Sequence, residues 1–148
     1  MSLFSGPVFI ASDHAGLTLK AQLIHSFSEL KWQDLGPNTE SSVDYPDYAD
    51  RLCQEIAKNP HSRGVLVCGS GQGMAMRANK FSFIRAALVN NNELAKLCRL
   101  HNDANVICFG GRMTDLENAK VFLETFLITD FEGQRHEQRV KKLNSPVT

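Results

Sequence analysis

A cysteine directly before a glycine-rich segment offers the most specific chemistry in this sequence. Cys68 ends the apolar run 64–68 and is followed by Gly69-Ser-Gly-Gln-Gly73. Glycines let backbone N–H groups approach an anion closely, and a helix that begins there adds partial positive charge. A thiolate in such a place can remove a proton α to a carbonyl. The alternative is that Cys68 is a small buried hydrophobe before a tight βα turn.

The glycine spacing argues against a dinucleotide-binding loop. Gly69, Gly71 and Gly73 fit G-x-G-x-G, whereas the dinucleotide fingerprint requires its third glycine where Met74 stands. The segment also follows the third predicted strand rather than the first. An oxyanion or phosphate cradle is therefore the functional interpretation of this loop.

Two further clusters combine histidine with carboxylate or amide groups. Asp13 and His14 follow the first apolar run, and His101-Asn102-Asp103 ends a predicted helix before the last strand. Each histidine alone is as well explained by a structural role, but we expect both to converge on one edge of the sheet. Cys98-x-x-His101 is an isolated half-site without a matching second pair, so we reject a zinc site there and expect no metal and no cofactor.

Two arginines near the C-terminus have the spacing of a phosphate clamp. Arg135 and Arg139 are four residues apart on a predicted helix, so they share one face. Two guanidiniums on one face can bind a phosphate bidentately. An ordinary solvated helix face is the alternative, and Lys142 nearby fits it.

Short apolar runs alternate with helical patterns along the whole chain. Strands are expected at 7–11, 32–35, 64–68, 85–89 and 105–110, and helices at 16–27, 46–58, 74–79, 93–100, 114–127 and 132–143. Five β/α alternations with fully apolar strands predict a three-layer α/β/α, Rossmann-like domain with a parallel sheet covered on both faces. Ligands of such sheets bind beyond the carboxyl ends of the strands. We expect one domain over residues 1–148.

Composition excludes several classes of function. Lys+Arg and Asp+Glu both number 16, which argues against a general nucleic-acid or membrane binder. No apolar stretch is long enough for a bilayer, and the N-terminal residues lack signal-peptide features. Four cysteines without CxxC spacing are typical of reduced thiols in the cytoplasm.

Taken together, the motifs resemble the ribose-5-phosphate isomerase B family, the sugar-phosphate isomerases that include galactose-6-phosphate isomerase. The matching segments occur in the family's order from about Val8 to Val140: 12–16, 44–49, 68–73, 78–80, 101–105, 109–112 and 133–140. The resemblance implies isomerisation of ribose 5-phosphate to ribulose 5-phosphate in the pentose phosphate pathway, through a cis-enediolate. It also implies a homodimer, which could pair into a tetramer, with active sites between subunits.

The resemblance implies a role for each matching residue. Cys68 would be the base, Ser70 would handle a hydroxyl proton, and Asp13 and His101 would assist opening of the furanose ring. Asn102 would position that ring, and Tyr45 would line the pocket. Backbone amides of Gly69, Gly71, Gln72, Gly73 and Met74 would stabilise the enediolate. The phosphate would be held by His14, Arg112, Arg135 and Arg139.

Three positions bear on this assignment. One branch of the family has Glu just after the glycine loop in place of the cysteine, but this chain has Met74 there, so Cys68 must be the base. Ser70 replaces the Thr of many relatives and keeps the hydroxyl. Arg77 is unusual for its helix turn, and we expect it to face outward.

Two other functions stay open from the sequence. An isomerase of a hexose 6-phosphate, such as allose or galactose 6-phosphate, would use the same chemistry in a longer pocket. A non-catalytic sugar-phosphate-binding module on the same fold is the second, since fold does not fix function.

Overall fold

The computed structural model describes residues 3–148, so Met1 and Ser2, with which the predicted domain begins, lie outside the described residues. Its centre is a five-stranded sheet in the order β2-β1-β3-β5-β4, with every pairing parallel. The strands are β1 (Pro7–Ser12), β2 (Lys31–Asp34), β3 (Arg63–Cys68), β4 (Ala86–Leu88) and β5 (Val106–Gly110). The helices are α1 (Leu17–Ser26), α2 (Tyr45–Lys58), α3 (Gln72–Ala78), α4 (Asn92–Leu100), α5 (Leu116–Ile128) and α6 (Arg135–Leu143).

Alternating side chains of the central strands form two separate cores. Val65 and Val67 of β3 face one side, where they pack with buried residues of α1, α4 and α5. Leu66 and Cys68 face the other side, where they pack with α2 and α3. Period-two alternation divides one apolar strand between two helical layers in this way. The predicted three-layer α/β/α architecture is confirmed.

The prediction that all five strands are apolar and covered on both faces is wrong for β2. Lys31, Gln33 and Asp34 of this strand are exposed, and only Trp32 is partly buried. The strand lies at the sheet edge and pairs on one side, with β1. An edge strand needs less apolar surface than a central strand, and charged residues there oppose pairing with other chains.

The last helix begins later than predicted. Gly133 and Gln134 have φ of 72° and 52°, so the backbone is left-handed before the helix starts at Arg135. The predicted start at 132 therefore fails, because two consecutive left-handed residues cannot continue a right-handed helix. Among the described residues, no helix is long and apolar enough to span a membrane.

The order of elements decides which segments share an edge of the sheet. All strands are parallel, so the segments that follow β1, β3 and β5 lie at one edge, the carboxyl edge. The segment 101–105 joins α4 to the start of β5 and therefore lies at the opposite, amino edge. This placement separates residues that the sequence motifs suggested as neighbours.

Candidate active site

A cavity of about 440 Å³ opens at the carboxyl edge, where β1, β3 and β5 end. Its volume is in the range of small-molecule sites. The lining residues are Asp13, Tyr45, Cys68, Gly69, Ser70, Gly73, Arg112 and Met113. Seven of these eight were predicted from the sequence; Met113 was not, since a lone exposed methionine has no recognisable pattern.

Backbone hydrogen bonds tie the Cys68 segment to the end of β5. The N–H of Gly111 donates to the carbonyl of Cys68 at 2.7 Å, and the N–H of Arg112 donates to the carbonyl of Gly69 at 3.1 Å. A Cβ added at Gly69 would lie 3.4 Å from Nη1 of Arg112, so the guanidinium lies against this segment. Cys68 and Arg112 therefore border the same cavity.

The glycines of the loop are required by close contacts. Gly71 has φ of 79°, and a Cβ there would meet Cδ1 of Leu88 at 2.6 Å. A Cβ at Gly73 would meet Cζ of Tyr45 at 2.5 Å, so the phenol ring packs directly on the loop backbone. Helix α3 starts at Gln72, and its first-turn N–H groups have no carbonyl partner within the helix. The loop thus presents amide donors beside the thiol, as an oxyanion would require.

Ser70 is an exposed residue of this loop. Its Oγ accepts a hydrogen bond from the N–H of Gln72 at 3.4 Å, which leaves the hydroxyl proton free to be donated. Ser70, Gln72 and Met113 also line an adjoining cavity of about 270 Å³. The buried side chain of Met74 lies in the core beneath the loop and not in either cavity.

Asp13 is buried at the end of β1 and faces the Cys68 cavity. One carboxylate oxygen, Oδ1, accepts from the N–H groups of Ala15 and Gly16 at 2.9 and 3.1 Å. These bonds fix the carboxylate in the turn after the strand. His14 is partly exposed, and its Nδ1 accepts from the N–H of Val43 at 3.3 Å. His14 is therefore beside the cavity but is not among its lining residues.

A second polar cluster lies at the amino edge and consists of His101, Glu132 and His136. The two imidazoles stack with centroids 4.4 Å apart and planes 16° apart. Oε2 of Glu132 lies 3.8 Å from Nε2 of His101 and 3.6 Å from Nε2 of His136. The Nε–H of Arg135 donates to Nε2 of His136 at 3.4 Å. Desolvation lowers the pKa of His136, as do the nearby His101 and Arg135.

The expectation that the two histidines converge on one sheet edge is wrong within a single chain. His101 and Asn102 precede β5 and lie at the amino edge, whereas Cys68 and His14 lie at or beside the carboxyl edge. Asn102 lines a separate cavity of about 330 Å³, together with Arg85 and Leu143. Arg135 and Arg139 are exposed on α6, next to the His101 cluster. The predicted site residues thus form two groups. Glu132 and His136 belong to the second group and had no assigned role.

The backbone around His101 is fixed by Asp103. This residue has φ of 47°, and its Oδ1 accepts from Nη1 of Arg99 at 2.8 Å. Its carbonyl accepts from Nε of Arg85 at 2.8 Å, and its Oδ2 accepts from Nη2 of the same residue at 3.3 Å. Asp103 thus links Arg99, in the last turn of α4, to Arg85, which directly precedes β4. The position of His101 and Asn102 therefore depends on this aspartate.

The other three cysteines differ from Cys68 in their surroundings. Burial raises the pKa of Cys53 to about 12 and that of Cys98 to about 11, and it raises the pKa of Cys108 further. Cys98 donates its S–H to the carbonyl of Ala95 at 3.3 Å, within its own helix. All four are free, and Cys68 alone among them lines the cavity at the carboxyl edge.

Arg77 is exposed, as predicted, and pairs with Asp50 at 2.7 Å.

Comparison with known sequences matches most of the chain to one family. The family described as Ribose/Galactose Isomerase matches residues 8–143. A probable ribose-5-phosphate isomerase B of Mycoplasma pneumoniae is 46% identical over 140 residues, which cover 93% of this chain and 92% of the relative.

Solved structures give the same result. Ribose 5-phosphate isomerase B of Anaplasma phagocytophilum aligns with a TM-score of 0.91 and 44% identity, covering 97% of this chain and 99% of its own. The enzyme of Mycoplasma genitalium with bound ribulose-5-phosphate aligns with a TM-score of 0.90 and 39% identity, covering 95% of both chains.

Proposed function

The chain belongs to the ribose/galactose isomerase family, and from this premise we propose that it interconverts ribose 5-phosphate and ribulose 5-phosphate with Cys68 as the base. The observation that carries the proposal is Cys68 itself. Its thiol borders a cavity of about 440 Å³ between the glycine loop and Arg112. The neighbour from Mycoplasma genitalium, with ribulose-5-phosphate bound, supports a sugar phosphate as the ligand. The pentose phosphate pathway and the cytoplasm are the setting that this reaction and four free thiols suggest.

The chemistry proceeds on the open-chain sugar. The Cys68 thiolate takes the proton from C2 of the aldose, and the electron pair moves to the carbonyl oxygen at C1, which gives a cis-enediolate. Amides of the loop 69–74 stabilise this charge, and Ser70 exchanges the hydroxyl proton. Return of the proton to C1 gives the ketose. Every proton removed is returned, so the net reaction consumes no oxidant or metal.

The remaining roles fall on both polar groups. Asp13 at one edge and His101 at the other open the furanose ring, with Asn102 positioning it and Tyr45 lining the pocket. His14 and Arg112 hold the phosphate together with Arg135 and Arg139. Since one chain places these residues at opposite edges, we propose a homodimer in which the amino edge of each subunit completes the other's cavity. Pairing of dimers into a tetramer is compatible with this arrangement.

The first experiment measures turnover on ribose 5-phosphate beside allose 6-phosphate and galactose 6-phosphate, all with EDTA present. Fastest turnover of ribose 5-phosphate supports the proposal. Preference for a hexose phosphate keeps the chemistry and changes the substrate. Binding of these sugars without turnover of any of them identifies a sugar-phosphate-binding module and removes Cys68 from a catalytic role.

A second experiment tests the shared site by mixing two impaired chains, assayed at a ribose 5-phosphate concentration far below the raised KM of the arginine variant. Cys68→Ala lacks the base, and the double variant Arg135→Ala/Arg139→Ala lacks two phosphate ligands. Unfolded and refolded together in equal amounts, they form mixed dimers that have one intact site and one doubly damaged site. Recovery of about a quarter of the wild-type activity is expected from random pairing. Either variant refolded alone is the control, and no recovery in the mixture contradicts a site shared between subunits.

A further inference from the structure

The cluster His101–Glu132–His136 has the composition and spacing of a zinc site, and we propose that it binds Zn²⁺ and that this binding inhibits the enzyme. Two imidazole nitrogens and one carboxylate oxygen are offered here, all within 4.8 Å of one another. Two histidines and one glutamate form a recurrent three-residue zinc ligand set, which leaves a fourth position for water or a ligand. Softer imidazole ligands favour Zn²⁺ over Mg²⁺ or Ca²⁺.

Closing the site requires the His101 ring to rotate out of its stack with His136, because the two ring planes are now 16° apart and a shared ion must lie close to both planes. Zinc–ligand bonds of about 2.0–2.2 Å place tetrahedral ligand atoms about 3.4 Å apart. The carboxylate already lies 3.6 and 3.8 Å from the two nitrogens. His136 is buried and fixed, whereas His101 and Glu132 are 37% and 44% exposed and can adjust. The buried His136 can therefore stay in place while the two more exposed side chains rotate toward the ion.

The polar neighbours of His136 both favour and oppose a bound cation. Nε2 of His136 accepts a hydrogen bond from Arg135, so this nitrogen carries a lone pair. The carboxylate of Glu132 lies close to the same nitrogen. When Nε2 is unprotonated, it and the carboxylate oxygen are two acceptors 3.6 Å apart, and a metal ion between them would relieve their repulsion. Zn²⁺ would displace the hydrogen bond from Arg135 to His136. The positive charges of Arg135 and Arg139 also oppose binding of a cation. We therefore expect Zn²⁺ to bind reversibly and more weakly than in a structural zinc site.

Inhibition follows from the ligand atom that His101 contributes, and this step rests on the proposed function. A ring nitrogen that coordinates Zn²⁺ has no lone pair with which to exchange a proton with the sugar ring oxygen. Zn²⁺ would therefore slow ring opening, and EDTA would restore activity. The metal-binding step itself rests on the geometry of the three side chains alone.

The test is Zn²⁺ affinity, measured by competition with a chromophoric chelator. We expect one site per chain in the wild type and at least about 10-fold weaker binding by Glu132→Gln. Glu132 is exposed and the change is isosteric, so this variant is expected to fold. Glu137→Gln removes another exposed carboxylate of the same segment and is the matched control, with unchanged affinity.

Cys68 is the competing explanation, because thiolates also bind Zn²⁺. Cys68→Ala should therefore keep the site, and Zn²⁺ should inhibit the wild type and Glu137→Gln equally but spare Glu132→Gln. Unchanged Zn²⁺ affinity in Glu132→Gln, or its loss in Cys68→Ala, overturns the site. Binding without inhibition overturns the regulatory effect only. Absence of isomerase activity in EDTA overturns the proposed function and leaves the binding result standing.

Discussion

The carboxyl edge and the amino edge of the sheet carry polar groups in different environments. At the carboxyl edge Cys68 is 4% exposed, and its carbonyl is bonded to the end of β5. At the amino edge His101, Arg135 and Arg139 lie at the surface. Packing within the same chain fixes the position of a buried group. Exposed cationic side chains on a helix become ordered only when they contact a ligand or a partner. This difference is consistent with the proposed proton transfer at the first region and the proposed binding of the sugar and its phosphate at the second.

The sharpest distinction between the edges is expected from Cys68→Ala. Loss of the proposed base should reduce kcat by about 10³-fold or more, while the fold and the affinity for a phosphorylated sugar remain. Steady-state kinetics, circular dichroism and calorimetric binding measure these three quantities. Cys98→Ala, which removes a buried thiol that does not line the 440 Å³ cavity, is the matched control and should keep its turnover. Retained turnover in Cys68→Ala would exclude this residue as the base.

At the amino edge the expected effect is on binding. Arg139→Ala removes a charged hydrogen bond of about 1.5–3 kcal/mol to the proposed phosphate. This corresponds to a KM raised by about 10- to 100-fold with kcat nearly unchanged, because phosphate binding is largely uniform along the reaction. Lys141→Ala, a cation on a different face of α6, should leave both constants unchanged. A pure kcat effect in Arg139→Ala would contradict the assigned role.

A smaller effect is expected at the residue that holds His101 in place. Asp103→Asn removes the charge that pairs with Arg99 and Arg85, while asparagine tolerates the left-handed backbone. We expect a loss of about 1–2 kcal/mol in the free energy of unfolding, because the aspartate is partly exposed and Arg99 keeps other partners. Turnover should fall by a few-fold through displacement of His101. Urea unfolding and kinetics measure both, with the exposed Asp130→Asn as the control. Lower stability with unaltered turnover would show that His101 does not depend on Asp103.

The smallest effect concerns buried thiols and pH. The pKa of Cys98 is raised from 9.0 to about 11 in the folded chain. The folded state therefore holds this proton more tightly than the unfolded state, and the resulting stability is complete below about pH 9 and is lost as pH rises toward 11. Urea midpoints of the wild type should fall over this interval, and those of Cys98→Ala should fall less steeply. Identical slopes would mean that Cys98 does not contribute.

The carboxyl-edge group was the more predictable from sequence. An apolar run that ends in Cys68 before a glycine loop identifies a strand and its carboxyl end, which is where α/β proteins bind ligands. The sequence locates strand β2 but predicts the wrong burial for it. An edge strand can be polar, and whether a strand lies at the edge depends on its pairing with strands distant in sequence. His101 was assigned to the wrong edge. The order of elements in the sequence already indicates the correct edge for His101, since a residue between a helix and the next parallel strand must lie at the amino edge. The contact of Glu132 and His136 with His101 has no local pattern.

The two hydrogen bonds from Gly111 and Arg112 to the Cys68–Gly69 segment have a consequence for substrate selection. They fix the backbone of Arg112 relative to that of Cys68, so only rotation of the Arg112 side chain can change the spacing of the thiol and this guanidinium for a longer sugar. In the proposed dimer, Arg135 and Arg139 belong to the other subunit. Pentose or hexose specificity would then be set by the spacing of two subunits, and substitutions that alter it would be found in the subunit contact rather than around Cys68.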